Sequence, residues 1–256
     1  SGVFGYFGAG GPSYVSTVDR LDYFNDTATA SPKGPLTSAK GYGAATSSGD
    51  YALPTRQTGI ANYAVGTYAT PNTGYFAGGR ISGPAEISKV ERVDYSNDTS
   101  AAVVKGSLPI AKWAKFSCAT NGFGYFGGGD PGPITTVDRV SFMNDTPTTL
   151  PRGPMILSAS QPTGVGNKDF GYSAGGSSES LIQRINYAND TQNVLIRGPL
   201  SQDTYQFAAT GNSDFGYFGG GSPSTRSSVD RVDYANDTVV ASPKGPLSAP
   251  KRSSGA

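Results

Sequence analysis

The chain has 256 residues and a formal net charge of +1, from 20 Lys and Arg against 19 Asp and Glu, with no histidine and one cysteine. A near-neutral chain without a basic run excludes non-specific phosphate binding, so nucleic acid is not an expected partner. The missing histidine removes the usual general base and zinc ligand. One cysteine closes no internal disulfide, and no apolar run approaches the roughly 20 residues that span a bilayer.

The chain opens on a strand, Val3–Phe7, carrying the first Gly-Tyr-Phe. That marker returns at Gly74, Gly124 and Gly216, with Gly171-Tyr-Ser as a variant copy. A second marker, Asn-Asp-Thr, starts at Asn25, Asn97, Asn144, Asn189 and Asn236, in steps of 72, 47, 45 and 47. Fixed self-similarity at such a period is the signature of a repeat architecture. Both markers show one long first step. Candidate inner strands follow in order at residues 42–47, 62–68, 115–120, 158–165, 205–210 and 251–256. Ser1 is not an initiator Met and no signal peptide follows, so the chain is expected to derive from a longer one.

The last full copy reads as four strands: Tyr205–Thr210, Phe215–Phe218, Val229–Tyr234 and Val239–Ala241. Turns of Gly, Asn, Asp and Pro separate them. No segment keeps a 3.6-residue apolar period, so essentially no helix is expected. Four short strands in about 47 residues is the size of one propeller blade. The expected fold is therefore all-β, a single β-propeller domain over residues 1–256. The count favours six blades, with the second cut down to inner strands around residues 48–61. The alternative is five blades and an insertion of 25 residues. The strand at the end, Lys251–Ala256, is expected to join the strand at the start in one blade. That closes the ring and removes open sheet edges.

Glycine pairs end the second strand at Gly78-Gly79, Gly128-Gly129, Gly175-Gly176 and Gly220-Gly221, and an acid and a tyrosine end the third at Asp22-Tyr23, Asp94-Tyr95 and Asp233-Tyr234. This pattern resembles the kelch repeat over nearly the whole chain. It departs in having its single tryptophan, Trp113, in a crossover. The text Val-Asp-Arg-Val-Asp-Tyr-x-Asn-Asp-Thr, followed by Lys-Gly-Pro-Leu-Ser, also resembles repeats of marine phage and environmental virus proteins. That resemblance implies a tail or fibre component.

Three residue sets invite chemistry. The third strand carries Arg20, Arg92, Arg139, Arg184 and Arg231, usually with an acid two residues on. They suit either sugar hydroxyls or pairs packed between blades. Asn25, Asn97, Asn144, Asn189 and Asn236 fit the N-x-Thr glycan acceptor pattern, though their repetition favours one copied turn. The loops between second and third strands vary most, and variable loops on a rigid frame are where binding concentrates. They supply Tyr14, Arg80, Glu86, Asp130 and Arg226 as candidate contacts. The glycine clusters lack the following helix that a phosphate loop needs. No catalytic residue, metal site or cofactor is expected, because a serine or cysteine nucleophile lacks its base.

The expected function is a non-enzymatic binding or structural module, extracellular or on a virion surface. Its expected partners are proteins of a surface assembly or surface glycans. A carbohydrate-binding propeller and an intracellular kelch-type adaptor are the alternatives.

Overall fold

Gly-Tyr-Phe runs form strands because the consecutive Tyr and Phe rings bury on opposite faces while the glycines admit a neighbouring strand closely. The computed structural model describes residues 4–8, 14–22, 29–40, 44–47, 73–81, 85–120, 122–132 and 134–251. Five antiparallel sheets form among them, each a meander. The first has three strands, β1 (Phe4–Gly8), β2 (Val18–Asp22) and β3 (Ser31–Pro32). The second has β4 (Ala44–Ser47), β5 (Thr73–Ala77), β6 (Lys89–Asp94) and β7 (Val103–Ser107). The third has β8 (Phe116–Ala119), β9 (Phe123–Gly127), β10 (Val137–Ser141) and β11 (Leu150–Arg152). The fourth has β12 (Thr163–Gly166), β13 (Phe170–Ala174), β14 (Ile182–Asn186) and β15 (Leu195–Arg197). The fifth has β16 (Ala208–Gly211), β17 (Phe215–Gly219), β18 (Val229–Asp233) and β19 (Ser242–Lys244). The inner strands β4, β8, β12 and β16 pack against one another in that order.

Strand β4 departs from the expected assignment. Residues 42–47 were expected to be the inner strand of a truncated second blade. Instead β4 pairs directly with β5, Ala44 opposite Ala77 and Ser47 opposite Gly74. The chain between these paired strands, and with it the candidate strand 62–68, lies outside the described residues. So does the expected terminal strand beyond Lys251.

Two strands of the last repeat also shift. The inner strand starts at Ala208, not Tyr205, because Gln206 takes a left-handed φ of 55° and Tyr205 bridges to Ser222 instead. The outer strand runs Ser242–Lys244, not Val239–Ala241. A short 3-10 turn at Tyr234–Asn236 holds the chain back, capped by Asp233 accepting from the Ala235 amide.

The sheets are joined by one repeated contact. A tyrosine of the second strand and an arginine of the third converge on the Asp of the next sheet's Asn-Asp-Thr. Tyr6 and Arg20 reach Asp98 at 2.8 and 2.7 Å. Tyr75 and Arg92 reach Asp145 at 3.0 and 2.8 Å. Tyr125 and Arg139 reach Asp190 at 2.8 and 2.7 Å, and Tyr172 and Arg184 reach Asp237 at 2.9 and 2.7 Å. The tyrosine rings stack on the next sheet, Tyr6 on Tyr95, Tyr75 on Phe142, Tyr125 on Tyr187 and Tyr172 on Tyr234, at 4.2 to 5.1 Å. Such rings add about 1 kcal/mol beyond the area they bury. Burial pushes the Tyr75 hydroxyl up to about 12, so it is a committed donor.

This contact changes the reading of two motifs. The Asp of Asn-Asp-Thr sits in the turn but also reaches beyond it; the side chains of Asp98, Asp145, Asp190 and Asp237 are buried between sheets. The acid two residues beyond the arginine is not its partner either. Asp94 accepts from Ser96 and Asp233 from Ala235, each capping its own turn.

Candidate functional site

Two ends of the sheets carry the expected residues. At one end lie the Asn-Asp-Thr turns. Asn97, Asn144, Asn189 and Asn236 are exposed, each accepting from the Thr hydroxyl two residues on at 3.1 to 3.4 Å. Asn25 lies outside the described residues. Among the described residues no group of three His, Cys, Asp or Glu side chains fits a metal ion.

At the other end lie the crossovers and the variable loops. Here the residue after the glycine pair in the third, fourth and fifth sheets meets the crossover that leads into its own sheet's inner strand. Trp113 and Asp130 exchange two backbone hydrogen bonds of 2.9 Å. Ser177 donates to the Ser160 carbonyl at 2.8 Å, and Ser222 to the Tyr205 carbonyl at 2.9 Å. The Arg80 guanidinium stacks over the Trp113 ring at 5.3 Å. The Ser160 hydroxyl donates to Asp130 Oδ2. Main-chain bonds then run from sheet to sheet, Gln161 to the Ala114 carbonyl at 2.9 Å and Gln206 to the Gln161 carbonyl at 3.3 Å.

This crossover face also holds backbone strain. The non-glycine residues described with positive φ are Ala114, Gln161, Ser177, Ser178 and Gln206, and all five belong to it. A non-glycine side chain in that region costs about 1 kcal/mol or more, and such residues cluster at functional sites. Arg80 Nε and Gln161 Oε1 are buried there without a hydrogen-bond partner. An unpaired donor and an unpaired acceptor in a ring of Trp, Ser, Gln and Asp suit a polar ligand that both donates and accepts.

Beneath the face sit buried charges that the sequence reading missed. Lys40 pairs with Glu91, and Lys112 with Asp138 at 2.7 Å, all four inaccessible or nearly so. Burial pulls both ammonium groups below the usual lysine range, with the facing carboxylates opposing it. Lys115 is buried, and among the described residues its hydrogen-bond acceptor is the Lys112 carbonyl, 3.3 Å away. Burial first, then Lys112 and Lys40, push it well below the lysine range. Arg80 and Asp130 bring one charge of each sign to the face, both beside Trp113. The available signal was a lysine four residues after a crossover leucine, paired with an acid just before the third-strand Arg.

The expected contacts therefore divide. Arg80 and Asp130 come together around Trp113. Arg80 also bridges its own loop to Glu86 through the backbone. Arg226 stands further along the same face, donating to the Asp203 carbonyl at 2.7 Å. Tyr14 is half-buried in the first sheet's loop and joins neither group. Arg20, Arg92, Arg139 and Arg184 are occupied between sheets. Arg231 stacks on Phe215 at 4.3 Å, as Arg139 does on Phe123 and Arg184 on Phe170.

No family model matches the chain, and no curated protein sequence matches it. Among solved structures, one titled "Structure of YjhT" is similar over 100% of this chain and 84% of that one, with a TM-score of 0.75 at 10% sequence identity. At that identity the likeness concerns the fold alone. That structure is a β-propeller-like fold, and the chain shares this all-β architecture of four-stranded antiparallel sheets.

Proposed function

We propose that the chain is a non-enzymatic binding module, a closed kelch-like propeller of five blades displayed on a virion or extracellular surface, which takes its partner on the crossover face. The observation that carries this reading is the convergence there of the left-handed residues Ala114, Gln161, Ser177, Ser178 and Gln206 with unpaired Arg80 Nε and Gln161 Oε1. The third-strand arginines are held between sheets instead, which argues against them as ligand contacts.

The pairing of β4 with β5 supports five blades, with the sequence between them counted as an insertion into the repeat. The repeat itself supports closure. The fifth sheet carries Tyr217 and Arg231 at the positions that elsewhere reach the next sheet's Asp, and the repeat assigns them Asp26.

A surface glycan is the favoured partner because Trp113 offers a ring beside hydrogen-bonding side chains, and uncharged hydroxyls match a face to which Arg80 and Asp130 bring one charge of each sign. A glycan array and host-cell adsorption of the purified chain test the reading. Trp113→Ala and Arg80→Ala should abolish adsorption, while Asn189→Ala at the opposite end should keep it. Adsorption lost only in the opposite-end variant would overturn the assignment.

A further inference from the structure

One junction between sheets keeps a buried acid but has lost the lysine that pairs with it elsewhere. At the second-to-third junction, Lys112 Nζ lies in a cage of Asp138 Oδ2 at 2.7 Å, the Phe126 carbonyl at 3.4 Å, and the Thr136 carbonyl and hydroxyl at 3.3 and 3.2 Å. At the first-to-second junction Lys40 meets Glu91 in the same way. At the third-to-fourth junction lysine and acid are lost together: Ala159 and Gln183 stand there, and Gln183 bonds the Ile156 and Leu157 backbone instead.

At the fourth-to-fifth junction only the lysine is lost. Thr204 replaces it, while Asp230, Phe218 and Ser228 keep the positions of Asp138, Phe126 and Thr136. These same residues, with Leu200, Phe207, Gly220 and Arg226, line a small cavity. Asp230 is 8% exposed, accepts from the Ser201 amide and hydroxyl at 2.8 Å each, and has no ion pair within 4 Å among the described residues. The Thr204 hydroxyl is buried without a hydrogen-bond partner. Arg226 borders the cavity but spends its Nη1 on the Asp203 carbonyl.

We infer that this cavity binds a compact monocation, an ammonium group or an alkali ion of similar size, in the place that the lysine ammonium fills at the first-to-second and second-to-third junctions. A buried carboxylate with no ion pair within 4 Å among the described residues is costly, and the Asp230 carboxylate with the Thr204 and Ser228 hydroxyls in the same lining suits a small cation, with the Arg226 guanidinium limiting it to a single charge. The cage admits about one atom-sized group, which excludes bulky quaternary amines. The cation comes either free from solution or as the primary amine of a bound molecule.

The test is the melting temperature of the full chain in ammonium, sodium, potassium or methylammonium chloride, with tetramethylammonium chloride keeping the ionic strength constant. A ligand that binds only the folded state raises it by about 3 °C per tenfold increase in concentration beyond the dissociation constant. Thr204→Lys supplies its own ammonium and should melt higher, without response to the salt. Asp230→Asn should also lose the response. A response to methylammonium identifies a ligand amine as an admissible source, and a response to the bare ions alone identifies a free cation. Equal melting in all five salts, or an undiminished response in Thr204→Lys, overturns the inference.

Discussion

The Tyr125 hydroxyl and Asp190 Oδ2 lie 2.8 Å apart although 65 residues separate them, further than one repeat. Arg139 shares the same oxygen at 2.7 Å. Because the donors sit in one sheet and the acceptor in the next, each Asn-Asp-Thr locks its sheet to the one before it. Removing the acid strands an Arg and a Tyr together in a half-buried seam.

Asp190→Ala should therefore destabilise the chain by about 3 kcal/mol, whereas Asn189→Ala beside it should cost under about 0.5 kcal/mol. Denaturant midpoints of the two variants check this. Equal costs would return the triplet to the status of a turn.

Cys118 gives an internal gauge of the same packing. Burial pushes its thiol up to about 12, with the Tyr187 hydroxyl pulling weakly the other way. The thiolate is the reactive form. Ellman's reagent should leave Cys118 untouched in the folded chain at pH 8 and label it at the rate of unfolding.

Lys115 predicts a pH dependence. Its folded value is depressed while the unfolded one stays near about 10.4, so the unfolded chain binds the extra proton. Stability should rise as pH climbs from the folded value toward about 10.4, and the penalty should be full below that window. Lys115→Met should be more stable at pH 7 and show a shallower slope in a pH series of melting curves. An unchanged slope would mean that Lys115 holds its charge in the fold.

The sequence made the repeat legible because Gly-Tyr-Phe and Val-Asp-Arg fix the second and third strands, whose registers match in every sheet from Phe4 opposite Asp22 to Phe215 opposite Asp233. It misplaced the inner strand at Tyr205 because a left-handed Gln206 has no composition signal. The role of Asp98 and its counterparts was hidden for a different reason: the contact crosses sheets, and periodicity within one repeat carries no information about its neighbour. Trp113 stood out as a misplaced tryptophan, but only the Arg80 stack and the bridge to Asp130 make it part of a face. The lysine cages were readable by aligning Lys40, Lys112 and Thr204 against Glu91, Asp138 and Asp230, a comparison of positions rather than of motifs.

The proposed binding face requires a closed ring, in which Tyr217 and Arg231 of the fifth sheet meet the first as Tyr125 and Arg139 meet Asp190. A double-mutant cycle between Arg231→Ala and Asp26→Ala, read beside one between Arg139→Ala and Asp190→Ala, tests that directly. Closure predicts equal coupling in both cycles, about 2 kcal/mol. Strong coupling between Arg139 and Asp190 with none between Arg231 and Asp26 would contradict it.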